Sequence, residues 1–349
     1  MYRPFVFIAL LMFVISCGGS ANNVQNKDKD TTQAPSAGDK TVEHSSAVVE
    51  PAVIVPIFDA DSAYHFIEKQ LSFGPRVPGT DGHKACAEYL ISKLKSYGAD
   101  VVVQNADLKA YNGDILPSCN IIAQFQPDKQ DRVLLFAHWD TRPWADSDPD
   151  ESNHYKPIPG ANDGGSGVGV LLEIARQLSA VPTTVGVDII FFDAEDYGLH
   201  EQDVAKYYNK TTSWALGSQY WAMKPHKSGY DARFGILLDI VGAPGSRFLY
   251  EGYSMKYADR IVDKVWKRAA SLGYSDFFVG EIGGMITDDH YYVNTMRGIP
   301  SINIINCDPD SPNGFGAYHH TMGDNMDWID RAPLKAVGQT VLTVIYNEK

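Results

Sequence analysis

The chain has 349 residues and a formal net charge of -13. A surface of that sign repels a phosphate backbone, which excludes nucleic acid as a partner, while its field weakly favours cationic ligands. The four cysteines lack the close spacing of a thiolate zinc site.

The chain opens with MYRPFVFIALLMFVISC, in which Arg3 precedes an apolar run from Phe5 to Ile15, and this reads as a secretory signal. The run is too short to span a bilayer as a mature helix. Cys17 follows Val-Ile-Ser and precedes Gly18 and Gly19, a pattern that resembles the lipobox of bacterial lipoproteins. That resemblance implies lipidation at Cys17 and a membrane anchor on the periplasmic side of a bacterial cell envelope. An ordinary cleaved signal with an incidental cysteine is the alternative. With Cys17 lipidated, Cys86, Cys119 and Cys307 can form at most one disulfide, and the sequence does not say which. Residues 18–50 are polar and without apolar period, so they cannot bury enough surface to offset ordering and read as a flexible tether. Residues 51–349 are long enough for one large α/β domain.

Apolar residues at three- and four-residue intervals predict helices over 60–73 and 83–98, separated by the turn-rich GPRVPGTDG. Short β-rich runs follow at 99–106, 119–126, 132–140, 186–196, 234–244 and 298–308. Helical patterns occupy 164–180, 213–224, 255–274 and 332–348. Continuously apolar strands alternating with helices imply a mostly parallel sheet covered on both faces. Ligands of such sheets bind beyond the carboxyl ends of the strands. There VLLFA ends in His138, Trp139 and Asp140, DIIFFD ends in Glu195 and Asp196, and FGILLD ends in Asp239.

An imidazole and several carboxylates converging on one edge are the ligand chemistry of zinc, and a metal offsets the repulsion of a crowded acidic cluster. Asp163 stands just before a helix behind flexible glycines, where it can approach an ion or cap the helix. His319 and His320 sit in a late loop. A structural acid network and a metal-free carboxylate pair are the competing readings of these residues. Asp193 reads as a buried acid hydrogen-bonded to backbone.

The ordered motifs GPRVPGT, AHWDTRP, GANDGGSG, FFDAEDYG, LLDIVGAP, TDDH and HHTMGDN resemble the zinc aminopeptidase superfamily of the M28 type, most closely its glutaminyl-peptide cyclotransferase branch. The resemblance implies a three-layer αβα sandwich around a central mixed sheet. It implies conversion of N-terminal glutamine on peptides or proteins to pyroglutamate. It makes Asp163, Asp196 and His320 the zinc ligands, Glu195 the catalytic acid and base, and Asp239 and Asp288 an acidic network beside it. His138 and Asp239 match positions that hold a second zinc in two-metal relatives, with Asp140 supporting His138. One zinc is favoured. Animal relatives carry pocket tryptophans where Glu201 and His319 stand here, so Trp214, Tyr197, Ile286 and Phe315 are the candidate pocket wall with His319; Trp139 and Trp144 are further candidates. A two-zinc aminopeptidase is the rival expectation, and a non-catalytic lipid-anchored binding protein the remoter one.

Overall fold

The computed structural model describes residues 53–207, 212–308, 311 and 313–349; the signal, Cys17 and the tether lie outside the described residues. In chain order come helices α1 (Ala60–Leu71) and α2 (Asp81–Ser96), strands β1 (Asp100–Lys109), β2 (Ile115–Phe125) and β3 (Arg132–His138), helix α3 (Gly165–Ala180) and strand β4 (Gly186–Phe192). Helices α4 (Val204–Tyr207) and α5 (Leu216–Met223), strands β5 (Gly235–Asp239) and β6 (Phe248–Tyr250), and helix α6 (Gly252–Ser271) follow. Strand β7 (Phe278–Ile282), helix α7 (Asp289–Tyr292), strand β8 (Ser301–Ile305) and helix α8 (Arg331–Tyr346) complete the order.

Side-chain caps start four of the long helices. Asp59 accepts from the amides of Asp61 and Ser62 at α1, Thr80 from His83 at α2, Glu251 from Tyr253 and Ser254 at α6, and Asp330 from Ala332 at α8. Each cap satisfies amide donors that have no partner within the helix. The β1–β2 hairpin closes through Asn112-Gly113, with Gly113 at φ 101°, where glycine carries no Cβ penalty. The strands therefore run on to Lys109 and back to Ile115, beyond the extents expected from their apolar runs. The β6–β7 pair was not expected; its strands are short and β7 is mostly exposed, so neither carries a buried-strand signature.

The main sheet has strand order β1-β2-β4-β3-β5-β8. Strands β4, β3, β5 and β8 are mutually parallel, and β1 and β2 run antiparallel at one side. The α/β class, the mixed and mostly parallel sheet, and the helical layers are as expected. Alternation along the strands sends Leu135, Ala137, Ile189, Phe191, Ile236 and Leu238 into one core. Leu134, Phe136, Ile190, Phe192 and Leu237 point to the other, with Trp221 of α5. Helices α1, α3, α6 and α8 share the first core. Helix α3 lies close on the sheet because Gly167 has no side chain; a Cβ there would stand 2.1 Å from the carbonyl oxygen of Leu238.

The chain leaves β3 for β4 on one side and then crosses to β5 on the other. That reversal opens a crevice past the carboxyl ends of the parallel strands, the place where such sheets bind ligands. No helix among the described residues is long and apolar enough to cross a membrane.

Candidate active site

Four parallel strand ends supply or lead into the site. His138 is the last residue of β3 and Asp239 the last of β5, whereas β4 ends at Phe192 and the chain turns before Glu195 and Asp196. Asp163 precedes α3, and Asp288 caps α7. His319 and His320 come from the loop after β8.

Asp140 fixes the acidic pair: its two carboxylate oxygens accept the amides of Glu195 at 3.0 Å and Asp196 at 3.1 Å. Its Oδ1 stands 3.5 Å from His138 Nδ1, an ion-pair separation without hydrogen-bond geometry. Asp140 therefore acts mainly on the turn and less on His138 than expected. Asp193 is fully buried and accepts from the amide of Cys119 at 2.6 Å and from its own neighbour Ala194 at 2.7 Å, with His83 Nε2 at 2.9 Å, as a structural acid does.

Asp163 is not the cap of α3; that position is Gly164, which has no side-chain cap. Its carboxylate faces the histidines instead, with Oδ1 3.0 Å from His138 Nε2 and Oδ2 3.6 Å from His320 Nε2. Asp324, buried behind it, accepts the amides of Asn162 at 2.8 Å and Asp163 at 3.1 Å. His320 Nε2 also lies 3.3 Å from Asp196 Oδ1. Ala194, Ile240 and His320 have φ of 53°, 50° and 56°. Left-handed backbone costs a residue with a Cβ about 1–2 kcal/mol, and such strain collects where a side chain must be aimed.

A cavity of about 450 Å³ opens at this point, lined by Asp163, Glu195, Asp196, Asp239, Asp288, His319 and His320. Trp214, Ile240, Ile286, Thr287, Ile305 and Phe315 form the rest of its wall. Of the expected wall residues, Tyr197 is misplaced. Its hydroxyl donates to Asp114 at 3.0 Å and its ring packs against Trp144 at 5.2 Å, outside the cavity. Trp139 is buried against His83 with ring centroids 4.3 Å apart, and Trp144 joins the Tyr111, Tyr197 and His200 cluster. Both are packing residues. Cys86, Cys119 and Cys307 are free thiols.

Asp146 and Asp324 were not assigned roles from sequence, whereas Arg142, a cation near a motif loop, was expected only to pair with surplus acids. Arg142 is buried, grips Asp146 through two hydrogen bonds of 2.7 and 2.6 Å, and donates to the carbonyl oxygen of Asp196 at 3.2 Å. Its guanidinium also sits 4.8 Å from the Trp214 ring centroid. The only sequence signal was the place of Arg142 inside AHWDTRP and of Asp324 inside HHTMGDN; Asp146 lies in none of the ordered motifs.

The electrostatics divide the titratable groups. Burial, followed by Asp288, raises the Glu195 carboxyl well above the ordinary range. Burial, followed by Asp163, does the same for Asp196. Burial pushes Asp239 up to about 7, against the pull of its bond to His138. His320 is lowered to about 3 by burial and by Arg142, and His319 well below its usual value by burial and by His320. The two adjacent imidazoles are therefore neutral, the form that ligates metal. Burial opposes the charge on His138, but the surrounding carboxylates of Asp140, Asp163 and Asp239 overcome it and raise its proton affinity.

Among the described residues, two overlapping groups could hold a cation: Asp163 with His319 and His320, and Asp163 with His138 and Asp239. Asp196 joins the first through its 3.3 Å approach to His320. Ligands about 2.0–2.1 Å from a tetrahedral zinc lie roughly 3.3 Å from one another, so these separations fit. The groups differ in how far they are already satisfied. His138 Nε2 is within 3.0 Å of Asp163 and 3.2 Å of Asp239. Both buried oxygens of Asp196, by contrast, have no hydrogen-bond partner. A buried carboxylate without a donor is costly, and a cation removes that cost.

Comparison with known proteins agrees with the fold. The chain is 57% identical to the solved glutaminyl cyclase of Tannerella forsythia, with a TM-score of 0.82, covering 84% of this chain and 100% of that one. It is 55% identical to a solved Zn-dependent exopeptidase from Parabacteroides distasonis, with a TM-score of 0.83, covering 84% of this chain and 100% of that one. Aminopeptidase YwaD of Bacillus subtilis is 27% identical over 288 residues; the match takes in 79% of this chain but spans about half of that relative, 54% of its length. The family model described as Peptidase family M28 matches residues 120–345, more than half of the chain, and the chain belongs to that family.

Proposed function

We propose that the protein is a zinc-dependent glutaminyl cyclase that closes the N-terminal glutamine of peptides or proteins to pyroglutamate and releases ammonia. The observation that carries this reading is Glu195: a buried carboxyl at the wall of the cavity, with a raised proton affinity, one residue away from a metal-donor acid. The high identity to a glutaminyl cyclase across that enzyme's whole length supports it.

Asp163, Asp196 and His320 would hold one zinc, which when bound supplies a Lewis acid for the γ-carbonyl of the substrate. The remaining chemistry belongs to the chain. Folding the glutamine inside the cavity brings its neutral α-amine onto its own γ-carbon, so proximity supplies much of the rate. As the carbon–nitrogen bond forms, Glu195 takes a proton from the amine and delivers it to the γ-amide nitrogen, which leaves as ammonia. A carboxyl whose proton affinity is raised suits both transfers. Asp288 raises Glu195 and is itself held by the Asn303 side chain at 2.7 Å and the Asp289 amide at 2.6 Å. Asp239, pushed up to about 7, can share the proton through the same acidic network. The apolar wall of Trp214, Ile286, Ile305 and Phe315 excludes water that would otherwise compete as nucleophile.

A second reading, a two-zinc aminopeptidase, is favoured by the second donor group of His138, Asp163 and Asp239, which shares Asp163 with the first. Purified protein given a Gln-initiated and a Leu-initiated dipeptide separates the two. Ammonia from the former without free leucine from the latter is the expected result; leucine without ammonia overturns the cyclase. We also infer that Cys17 carries a lipid that tethers the enzyme to a membrane on the periplasmic side of the cell envelope, on the strength of the lipobox-like VISCGG.

A further inference from the structure

Beside the reaction cavity lies a second, apolar hollow of about 270 Å³, lined by Leu249, Ile282, Gly283, Gly284, Ile286, Cys307, Gly314 and Phe315. Ile286 and Phe315 also line the reaction cavity, so one hollow begins where the other ends. The cyclisation consumes only the first residue of a peptide. The rest of the chain must leave the cavity across its rim, and on this side the rim is apolar.

The hollow is built in advance. Glu251, 1% exposed, accepts the amide of Ile286 at 2.9 Å while capping α6 and pairing with His290 at 2.9 Å, which pins the shared wall to the N-terminus of that helix. Ile282 is 81% exposed, although it is a large apolar residue at the end of β7. At Gly284 a Cβ would meet nothing within 4 Å and no positive φ demands glycine, so neither packing nor backbone conformation requires it there. Apolar surface left open at the mouth of a concave site marks binding.

We propose that this hollow receives the side chain of the second or third residue of the peptide substrate and selects peptides that are apolar there. The inference rests on the cyclase reading of the neighbouring cavity. Leu249, Ile282, Ile286 and Phe315 supply the contact, and a carboxylate placed among them would lose its hydration without a partner. Because the contact is remote from the reacting atoms, it is made equally in the bound substrate and in the transition state. It lowers KM and leaves kcat alone.

The test is steady-state ammonia release by the zinc-loaded enzyme from Gln-X-Ala-amide and Gln-Ala-X-amide, with X as Leu, Ala or Asp. At one of the two positions Leu should lower KM about tenfold relative to Ala, with kcat unchanged, and Asp should bind no better than Ala. In Ile282→Asp, a substitution at an exposed position, that tenfold preference for Leu over Ala should shrink to about threefold or less. Equal KM for all three at both positions overturns the inference, as does a preference that survives intact in Ile282→Asp. Ammonia from none of the peptides overturns the cyclase reading and this inference together, so the two failures are distinct.

Discussion

Glu195 and Asp196 are neighbours with different work, and the division is set by a turn. Strand β4 stops at Phe192, so strand alternation does not separate them. Ala194 takes φ 53° and Asp140 pins both following amides, and together these aim one carboxyl at the cavity and the other at His320. If Glu195 moves the proton, Glu195→Gln keeps the shape and loses the transfer. Turnover of a Gln-peptide should fall about 100- to 10,000-fold, while zinc per chain, measured by elemental analysis, stays at the wild-type level. Retained turnover would remove the assigned role. Asp193, two positions earlier, was readable as structural because four apolar residues, Ile189 to Phe192, lead straight into it; the donors it found on Cys119 and His83 were not, since both come from distant elements.

Elements meet the site through close backbone approaches and shared carboxylates. Helix α3 carries Asp163 to the crevice only because Gly167 lets it sit on Leu238. In Gly167→Ala the new methyl has no space, and overpacking of that kind costs about 1–3 kcal/mol. The variant should melt earlier and bind zinc more weakly, since Asp163 moves with the helix; melting and metal titration read the two effects. The Glu251 clamp makes a pH prediction. Burial opposes ionisation of Glu251, but its bond with His290 and its amide donors win and bring the carboxyl down to about 2 from an ordinary 4.5. A depressed folded-state value stabilises the fold fully above about pH 4.5, and that stability is lost as pH falls toward 2. The linkage amounts to roughly 3 kcal/mol. Glu251→Gln should therefore be less stable than the parent near neutrality and approach it between pH 4.5 and 2, as denaturant unfolding across that window would show. A constant gap would refute the assignment.

At the scale of the whole molecule, the acids of the site are tolerable only with a counter-charge, so the metal belongs to stability as well as to chemistry. A ligand that binds only the folded state at about 1,000 times its dissociation constant adds roughly 4 kcal/mol. Chelation should abolish turnover and lower the melting temperature, and added zinc should restore both; turnover that survives chelation contradicts the mechanism. If Cys17 carries the proposed lipid, Cys17→Ser should move the protein from the membrane fraction to the soluble fraction and prevent labelling with a radioactive fatty acid. The sequence alone determined the α/β class, the parallel strands and the edge at which chemistry would gather, because apolar period and strand-end residues are local properties. The match of ordered motifs pointed to Asp163, Asp196, His320 and Glu195, which the fold then drew together. Tertiary structure decided what local pattern does not encode. It put Tyr197 outside the cavity, because its hydroxyl found Asp114 across the fold. It gave Asp140 the turn to hold, and set Arg142, Asp146 and Asp324 around the donors. It also joined β7 to the cavity rim through Ile286 and Phe315. Each of these depends on which distant side chain offers the nearest donor or surface, and only a completed fold fixes that choice.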